Sequence, residues 1–325
     1  MSKIARTTFI AVGLVAALAV GACSGTDPGT DDGGSNPPAS GKPVIGATLP
    51  ILDEWQTTYA DGLKAAAEAA GFELRLVAAQ ERVDTQLGQV ENFVANEVDG
   101  LIVIAVDAEA TDPMTKAAAD NDIPLVYVNR RPQNLPDDVA FVGSDSVMAG
   151  TLQMTELARL KGGTGKVAIL QGMPGDYNTV RRTQGCTDVI AQNPGMEVVL
   201  EGTANYFRDQ ALAVVENWLQ SGTEFDVICS NNDEMALGAI LALQAAGKTL
   251  GADGVVVGGV DATRDALGAV QDGSLAVTVF QDGPGQGAAA VDAVKKLIAG
   301  ETLTDNYFDV PFQLVTPENL GDFLK

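Results

Sequence analysis

Asn231-Asn232-Asp233-Glu234-Met235-Ala236-Leu237-Gly238-Ala239-Ile240 is the stretch that decides the fold predicted for this chain. It follows an apolar run at residues 225–229 that is typical of a buried strand, and it opens an amphipathic helix that ends near Gly247. The order is therefore a strand, a polar turn and a helix. In an open parallel sheet, ligands bind in the crevice beyond the carboxyl ends of the strands, which is where this turn falls.

The two asparagines of this turn have two possible uses. Asn231 and Glu234, three residues apart, have the spacing of a helix-capping box. One asparagine can therefore cap the helix while its neighbour faces a ligand. A cap with no ligand is the alternative, and it is the commoner use of an isolated asparagine at a helix start.

Strands and helices alternate on both sides of this turn. Apolar periodicity predicts a strand at residues 44–49 and a helix at residues 55–70, and the alternation continues to a last helix at residues 285–299. It restarts near Ser144-Asp145, where the chain enters a second unit. Such βαβ repetition predicts an α/β fold in which each unit has a parallel sheet covered by helices on both faces.

Length and composition restrict the function. The 325 residues are enough for two domains, and the formal net charge of −23 argues against binding to nucleic acid or to anionic lipid. The chain has no histidine, which excludes histidine-based catalysis and histidine metal ligation. None of its cysteines has zinc-site spacing, so we predict neither a metal nor a cofactor.

The first residues are typical of an export signal. Lys3 and Arg6 precede an apolar run at residues 9–20, and Val20-Gly21-Ala22-Cys23 follows and resembles a lipobox. We therefore predict that residues 1–22 are a lipoprotein signal peptide and that Cys23 carries the lipid. An ordinary signal peptide with an accidental cysteine is the alternative. Residues 23–42 are rich in Gly, Asp, Ser, Thr and Pro, which favours a flexible tether.

Two further cysteines remain, Cys186 in a predicted helix and Cys229 in a predicted strand. They could form a disulfide in an oxidising compartment, and two buried free thiols are an equally good interpretation.

The run from Asn231 to Ala239, followed by Ala245-Ala246-Gly247, resembles the second-lobe signature of bacterial sugar-binding proteins of the ribose and galactose type. The resemblance covers about residues 43–317. It implies the type I periplasmic-binding-protein fold, with two doubly wound lobes joined by a three-segment hinge and a ligand cleft between them. Its lobe crossings map near residues 144–145, 281–282 and 312, which gives a first lobe of 43–144 plus 282–312 and a second lobe of 145–281 plus 313–325.

In the first lobe, the resemblance assigns ligand contacts to the turn after the first strand and to the end of the fourth. Galactose-binding relatives have an acidic residue, a spacer and an aromatic residue after the first strand, which maps to Asp53 and Trp55, with Gln56 beside them. A carboxylate can accept two hydroxyl protons, and an indole face can stack on the C–H surface of a sugar. The alternative makes Asp53 a helix cap and Trp55 a core residue. Asn129-Arg130 mixes the Asp-Arg of ribose-type proteins with the Asn-Lys of galactose-type ones, so it leaves the sugar open.

In the second lobe, the family pattern of an arginine three residues before a glycine selects Arg182 and not Arg181 as the ligand arginine. Asn178 lies one helical turn earlier on the same face. Two adjacent arginines near a helix start would also suit a phosphate, which we keep as a minor alternative. The resemblance adds four further candidates: Tyr206, Asn232, Asp261 and Gln281.

This candidate set balances two carboxylates against two arginines and adds amide and aromatic side chains, which suits a neutral polyhydroxylated ligand. We therefore expect a monomeric, lipid-anchored solute-binding protein on the outer face of the membrane, which delivers a hexose, a pentose or an inositol to the permease of an ABC importer. A sensory binding protein that presents its ligand to a membrane receptor is the alternative.

Two other functions are less well supported by the sequence. A carbohydrate-active enzyme would need a general acid, and the nearby arginines are expected to keep both Asp53 and Asp261 ionised. A repressor built on the same core would need a DNA-binding domain and a basic face, and the chain has an export signal and strong acidity instead.

Overall fold

The structure, a computed structural model, describes residues 41–324. The predicted signal peptide, Cys23 and nearly all of the predicted tether lie outside these residues. Strands and helices alternate from the start, in the order β1 (Val44–Leu49), α1 (Glu54–Ala70), β2 (Glu73–Ala78), α2 (Val83–Ala95), β3 (Gly100–Val103), α3 (Asp112–Ala119), β4 (Leu125–Val128) and β5 (Ala140–Gly143).

The alternation then continues without a break. The later elements are α4 (Ser146–Leu160), β6 (Thr164–Gln171), α5 (Tyr177–Ala191), β7 (Gly195–Thr203), α6 (Arg208–Ser221), β8 (Val227–Ser230), α7 (Asp233–Ala245), β9 (Val256–Gly258), α8 (Arg264–Asp272), β10 (Thr278–Phe280), α9 (Gly283–Ile298), β11 (Tyr307–Asp309) and β12 (Gln313–Val315). A short 3₁₀ turn at Leu320–Asp322 follows.

Two parallel sheets organise these elements into two lobes, which confirms the predicted fold class. The first lobe contains a six-stranded sheet in the order β11-β5-β4-β3-β1-β2, and the second a four-stranded sheet in the order β7-β6-β8-β9. Within both sheets every pair of neighbours is parallel. Isolated bridges tie β9 and the residues after it to the β10 segment, which pairs antiparallel with β12.

Each sheet is buried on both faces, as parallel sheets require. In the first lobe, α1 and α9 cover one face and α2 and α3 the other. In the second lobe, α4 and α5 cover one face, and α6, α7 and α8 cover the other. Because all strands of a sheet run in one direction, their carboxyl ends lie at a single edge, which is where the polar turns of both lobes collect.

The chain passes between the lobes more than once. It leaves the first sheet after β5, returns to it with α9 and β11, and ends in the second lobe with β12. The boundaries at residues 144–145, 281–282 and 312 fall in these connections and stay predictions. The sequence did not indicate β11 and β12, which are three residues each, too short for an alternating pattern to stand out.

Candidate functional site

A cavity of about 110 Å³ lies between the lobes at the carboxyl ends of the strands. At about 30 Å³ for each water it has room for roughly four water molecules, which is the scale of one small molecule. All eleven candidate ligand residues line it: Asp53, Trp55, Gln56, Asn129, Arg130, Asn178, Arg182, Tyr206, Asn232, Asp261 and Gln281. The structure therefore brings the whole set together, although the residues come from turns that are far apart in the sequence.

The start of α1 supplies the first wall. Asp53 is the N-cap of the helix, and its Oδ1 accepts a hydrogen bond of 2.7 Å from the backbone N–H of Gln56. Trp55 is buried, and its Nε1 donates to the backbone oxygen of Gln281 at 3.0 Å, so this indole ties α1 to the connection between the lobes. The buried Oε1 of Gln56 accepts no hydrogen bond from the described residues. Asp53 therefore caps the helix and also lines the cavity, and its contact with a ligand stays a prediction.

The end of β4 supplies the second wall. Asn129 has a φ of 64°, a conformation that asparagine tolerates better than most residues. Arg130 is buried, and its Nη1 donates to the backbone oxygens of Ala105 at 3.2 Å and Val106 at 2.9 Å. Its Nε lies 3.2 Å from a carboxylate oxygen of Asp176 in the other lobe. Most of this guanidinium therefore binds protein groups, which leaves less of it for a ligand than the sequence suggested.

Helix α5 brings Asn178 and Arg182 into the cavity. Asn178 donates through Nδ2 to Oδ1 of Asn129 at 2.8 Å, across the cleft. Arg182 is buried, and it donates through Nη1 to the backbone oxygen of Asn231 at 2.6 Å and through Nη2 to Oε1 of Gln281 at 2.9 Å. Its Nε is buried with no partner among the described residues.

The family pattern places a glycine three residues after the ligand arginine, and the structure gives a reason for this spacing. Gly185, one turn after Arg182, lies where α5 meets α4, and a Cβ there would be only 2.2 Å from the backbone oxygen of Val147. The two helices can approach this closely only at a residue without a side chain. The spacing therefore places the arginine in the cavity and the glycine in the helix contact.

The turn between β8 and α7 corrects one prediction. Asn232, not Asn231, is the N-cap of α7, and its Oδ1 accepts from the backbone N–H of Met235 at 3.1 Å. Asn231 is fully buried, and its Oδ1 accepts from the backbone N–H of Gly172 at 3.1 Å. The expected Asn231–Glu234 capping box is therefore wrong, because the helix begins one residue later than its spacing requires. Asn232 caps the helix and lines the cavity at the same time.

Tyr206, Asp261 and Gln281 complete the candidate set. The hydroxyl of Tyr206 donates to Asp176 and lies 2.7 Å from the hydroxyl of Thr179. Asp261 has a φ of 124°, and its carboxylate lies 3.5 Å from Nη1 of Arg182. That contact is the one polar partner of the Asp261 carboxylate within the described residues, so the carboxylate retains capacity to accept hydrogen bonds.

The charge balance of the cavity differs from the expected one. Glu81 and Glu234 also line it, together with Ile51, Ile104, Met173, Asn205 and Phe207, none of which was a candidate. Arg208 neutralises Glu234 through two hydrogen bonds of 2.8 and 3.0 Å. Glu81 has no such partner. Glu234 lies in the first turn of α7 and inside the signature run, but the sequence suggested only a capping role for it. The other missed residues come from loops and from the ends of strands, where neither periodicity nor the family pattern indicates them.

The pKa values of the two candidate carboxylates move against the expectation. Burial raises the pKa of Asp53, although hydrogen bonds from Gln56 and the charge of Arg130 oppose the rise. Burial likewise raises the pKa of Asp261 well above its ordinary value, although Arg182 opposes it. The arginines therefore do not ensure that Asp53 and Asp261 are ionised, and their charges do not exclude an acid–base role. It is membership of a family of binding proteins that argues against an enzyme.

Cys186 and Cys229 form a disulfide between α5 and β8, with their Cα atoms 6.8 Å apart.

The described residues contain no group of three or more His, Cys, Asp or Glu side chains suited to hold a metal ion. Within residues 41–324, no helix combines the length and the apolar character that crossing a bilayer requires.

Two α/β lobes that face each other across a polar cavity define a class of solute-binding proteins, and the chain belongs to it. The periplasmic binding protein domain matches residues 45–302, so the chain is a member of the periplasmic binding protein family. Membership implies an exported protein. The family consists of binding proteins and is not an enzyme family.

Individual relatives extend this comparison. The chain is 45% identical to a protein of Rhizobium meliloti provisionally named as rhizopine-binding, over 86% of this chain and 92% of the relative. It is 34% identical to the xylitol-binding protein of Mycolicibacterium smegmatis, over 85% and 78% of the two chains. A crystal structure of an ABC transporter solute-binding protein from Bacillus halodurans with bound myo-inositol has a TM-score of 0.83 and 42% identity, and the match covers 88% of this chain and 99% of that one.

Proposed function

We propose that this protein captures a cyclic polyol of the inositol type between its two lobes and delivers it to an ABC importer. The observation that carries the proposal is the convergence of eleven donor, acceptor and aromatic side chains on one cavity of about 110 Å³. Ligand chemistry in the relatives supports it, because one similar structure holds myo-inositol and another relative is a xylitol-binding protein. Hexoses and pentoses are the other ligands that this set of side chains suits.

Different side chains of the cavity are suited to bind different groups of the ligand. Asp53 and Asp261, on opposite lobes, accept hydrogen bonds from hydroxyl groups, and the amides of Gln56 and Asn232 can donate or accept. The indole of Trp55 borders the ring, whose C–H groups suit an aromatic face. Because the lining carries more carboxylates than guanidinium groups, a phosphorylated ligand is disfavoured.

A thermal-shift screen of the purified protein tests this proposal. The compounds are myo-inositol, scyllo-inositol, xylitol, ribose, galactose, glucose and inositol monophosphate. Saturating ligand stabilises the folded state by RT ln(1 + [L]/Kd), about 4 kcal/mol at a thousandfold excess over Kd, so a true ligand should raise Tm by several degrees. A shift with inositol monophosphate and with none of the neutral compounds would overturn the proposal.

The membrane attachment is a separate proposal, and it depends on the sequence alone. We propose that Cys23 carries the lipid anchor, because small residues precede it at the end of an apolar signal sequence. In a bacterial host fed radiolabelled palmitate, the wild-type chain should take up label and remain with the membrane fraction. The Cys23→Ala variant should do neither, and equal labelling of the two would contradict the assignment.

The isolated protein is proposed to be a monomer, and light scattering during gel filtration measures this directly. A mass near twice that of one chain would show a dimer instead.

A further inference from the structure

Glu81 is the cavity residue that neither the sequence nor the family pattern indicates. It follows β2, and its backbone N–H donates to the oxygen of Pro50 at 2.8 Å, which ties this loop to the end of β1. Glu81 and the preceding Gln80 both have positive φ, 56° and 55°. Two successive non-glycine residues in this region are strained, and such strain is retained mainly where a site uses it.

The carboxylate of Glu81 has no hydrogen-bond or ion-pair partner within residues 41–324. Its Oε2 is buried and accepts no hydrogen bond, and the group forms no ion pair among the described residues. The nearby Arg130 already contacts Asp176 and two backbone oxygens. A half-buried carboxylate without a hydrogen-bond donor is costly. Burial raises the pKa of Glu81; the charge of Arg130 opposes this rise, and the charges of Asp53 and Asp176 add to it.

We propose that Glu81 is a ligand-binding residue whose carboxylate accepts a hydrogen bond from the molecule in the cavity. The assignment rests on the proposed function and deepens it. The donor on the ligand is a hydroxyl or a protonated amine, because both can satisfy an unpaired carboxylate. A protonated amine has the stronger electrostatic attraction here, since carboxylates outnumber guanidinium groups around the cavity.

The position of Glu81 also bears on which part of the ligand it contacts. Glu81, Met173, Asn205 and Phe207 line both the inner cavity and an adjoining pocket of about 510 Å³. Glu81 therefore stands where the cavity opens toward this second pocket. A ring substituent on that side of the ligand would lie beside the carboxylate, which makes Glu81 a residue for specificity.

Glu81→Gly separates a ligand contact from a structural role. Glycine removes the carboxylate and fits a φ of 56° without strain, so the variant should fold. The matched control is Glu97→Gly, because Glu97 is also a glutamate at positive φ, 51°, but it is exposed and does not line the cavity. Both variants and the wild type are titrated calorimetrically with myo-inositol and with an inositol that has an amino group in place of one hydroxyl.

The expected result is a loss of at least about tenfold in affinity for Glu81→Gly and a change below about threefold for Glu97→Gly, since hydrogen bonds to charged groups are among the stronger ones. Without ligand, the Tm of Glu81→Gly should not fall below that of Glu97→Gly. If the wild type prefers the amino compound and Glu81→Gly loses that preference, the donor is an ammonium group. If the wild type binds the two compounds with equal affinity, the donor on the ligand is a hydroxyl group.

Two results would overturn the assignment, and they are distinguishable. If the wild type binds a probe and Glu81→Gly binds it within about threefold of the wild type, Glu81 makes no ligand contact and the proposed function stands. If the wild type binds neither probe, the proposed function falls and the role of Glu81 falls with it.

Discussion

Arg182 shows how a single side chain can hold the second lobe in a binding conformation. Its guanidinium donates to the backbone of Asn231 and to the side chain of Gln281, and it lies 3.5 Å from the carboxylate of Asp261. A planar group with several fixed donors can serve partners in different directions at once. The residue therefore orders three other parts of the cavity in addition to any contact it makes with a ligand.

Arg182→Lys should weaken polyol binding by about 2 kcal/mol, because an ammonium keeps the charge but cannot reproduce the fork of donors. Isothermal titration of the protein with its best neutral polyol measures the loss. The control is Arg181→Lys, since Arg181 is partly exposed and lies 5.2 Å above the ring of Tyr177, outside the cavity. Equal affinity of the two variants would contradict a role for Arg182 in the site.

Asp233 should make stability depend on pH. Its carboxylate is fully buried beside Thr263 and Thr278, and burial raises its pKa to about 7. The folded state then holds the proton more tightly than the unfolded state, so the free energy of unfolding falls as pH rises from about 4 to about 7. In Asp233→Asn this contribution is absent, and the drop in Tm between about pH 5 and about pH 8 should be smaller than in the wild type.

Other carboxylates contribute to the same pH profile, so the difference between proteins is the readout. Asp61→Asn, an exposed position on α1, is the control and should follow the wild type. A drop in Tm that is the same in Asp233→Asn and in the wild type would remove Asp233 as the cause.

The sequence predicts some cavity residues well and misses others, for identifiable reasons. Residues that a family pattern indicates, such as Arg182 on α5 and Asp261 after β9, were predicted to lie together, and they do. Glu81 was missed because its loop has no periodicity and its place in the cavity lining depends on a left-handed backbone that the sequence does not indicate. The ion pair between Arg130 and Asp176 was not predicted, because it joins the two lobes and no local sequence pattern indicates it.

At the scale of elements, α5 is fixed in the second lobe by contacts with a neighbouring helix and with a strand. Gly185 allows it to pack closely on α4, and the disulfide from Cys186 joins it to Cys229 in β8. These two contacts lie on the turn after Arg182, so the packing of the helix and the position of the arginine are coupled. The sequence predicted the helix and the strand but left the pairing of the cysteines open, because pairing depends on tertiary distance.

Removal of this disulfide should destabilise the protein. Cys186 and Cys229 are 43 residues apart, and closing a loop of this size lowers the entropy of the unfolded chain. The double variant Cys186→Ala/Cys229→Ala should lose about 2–4 kcal/mol of unfolding free energy in a denaturant titration. In the wild type exported to an oxidising compartment, thiol counts after unfolding should rise by two on reduction. The same count with and without reductant would show free thiols.

Sequence patterns predicted the elements better than their ends. The long helices α1 and α5 were predicted because their apolar periodicity extends over several turns. The start of α7 was misplaced by one residue, since two adjacent asparagines can both cap and only the fold selects one. Strand β11 was missed because three residues at the edge of a sheet make no pattern, and it is the pairing with β5 that defines it.

At the scale of the whole molecule, the lobes touch directly at several points around the cavity. Asn178 reaches Asn129, Asp176 reaches Arg130, and Trp55 donates to the backbone of Gln281. Such contacts contribute to closure whether or not a ligand is bound. The sequence predicts two lobes, because the βαβ pattern restarts, but the distance and angle between them depend on these contacts and cannot be derived from local patterns.

Glu54 forms a contact between the lobes outside the inner cavity, so a substitution there should affect closure without removing a contact to the ligand. Its Oε1 accepts a hydrogen bond of 2.9 Å from the backbone N–H of Arg264 at the start of α8 in the other lobe, and Glu54 does not line the inner cavity. A carboxylate at a helix start is stabilised by the free N–H groups there. The contact joins the two lobes, so we expect it to favour a closed arrangement over one in which the lobes are apart.

Glu54→Ala should therefore lower the fraction of closed protein and weaken polyol binding by about two- to tenfold, the effect of one partly exposed hydrogen bond on a two-state equilibrium. Small-angle scattering should show a larger radius of gyration for the unliganded variant than for the wild type, and the same radius for both at saturating ligand. Glu68→Ala, an exposed position near the other end of α1, is the matched control. Weaker binding without a change in radius would mean that Glu54 acts on the cavity and not on closure, because a shift in population has to appear in both measurements.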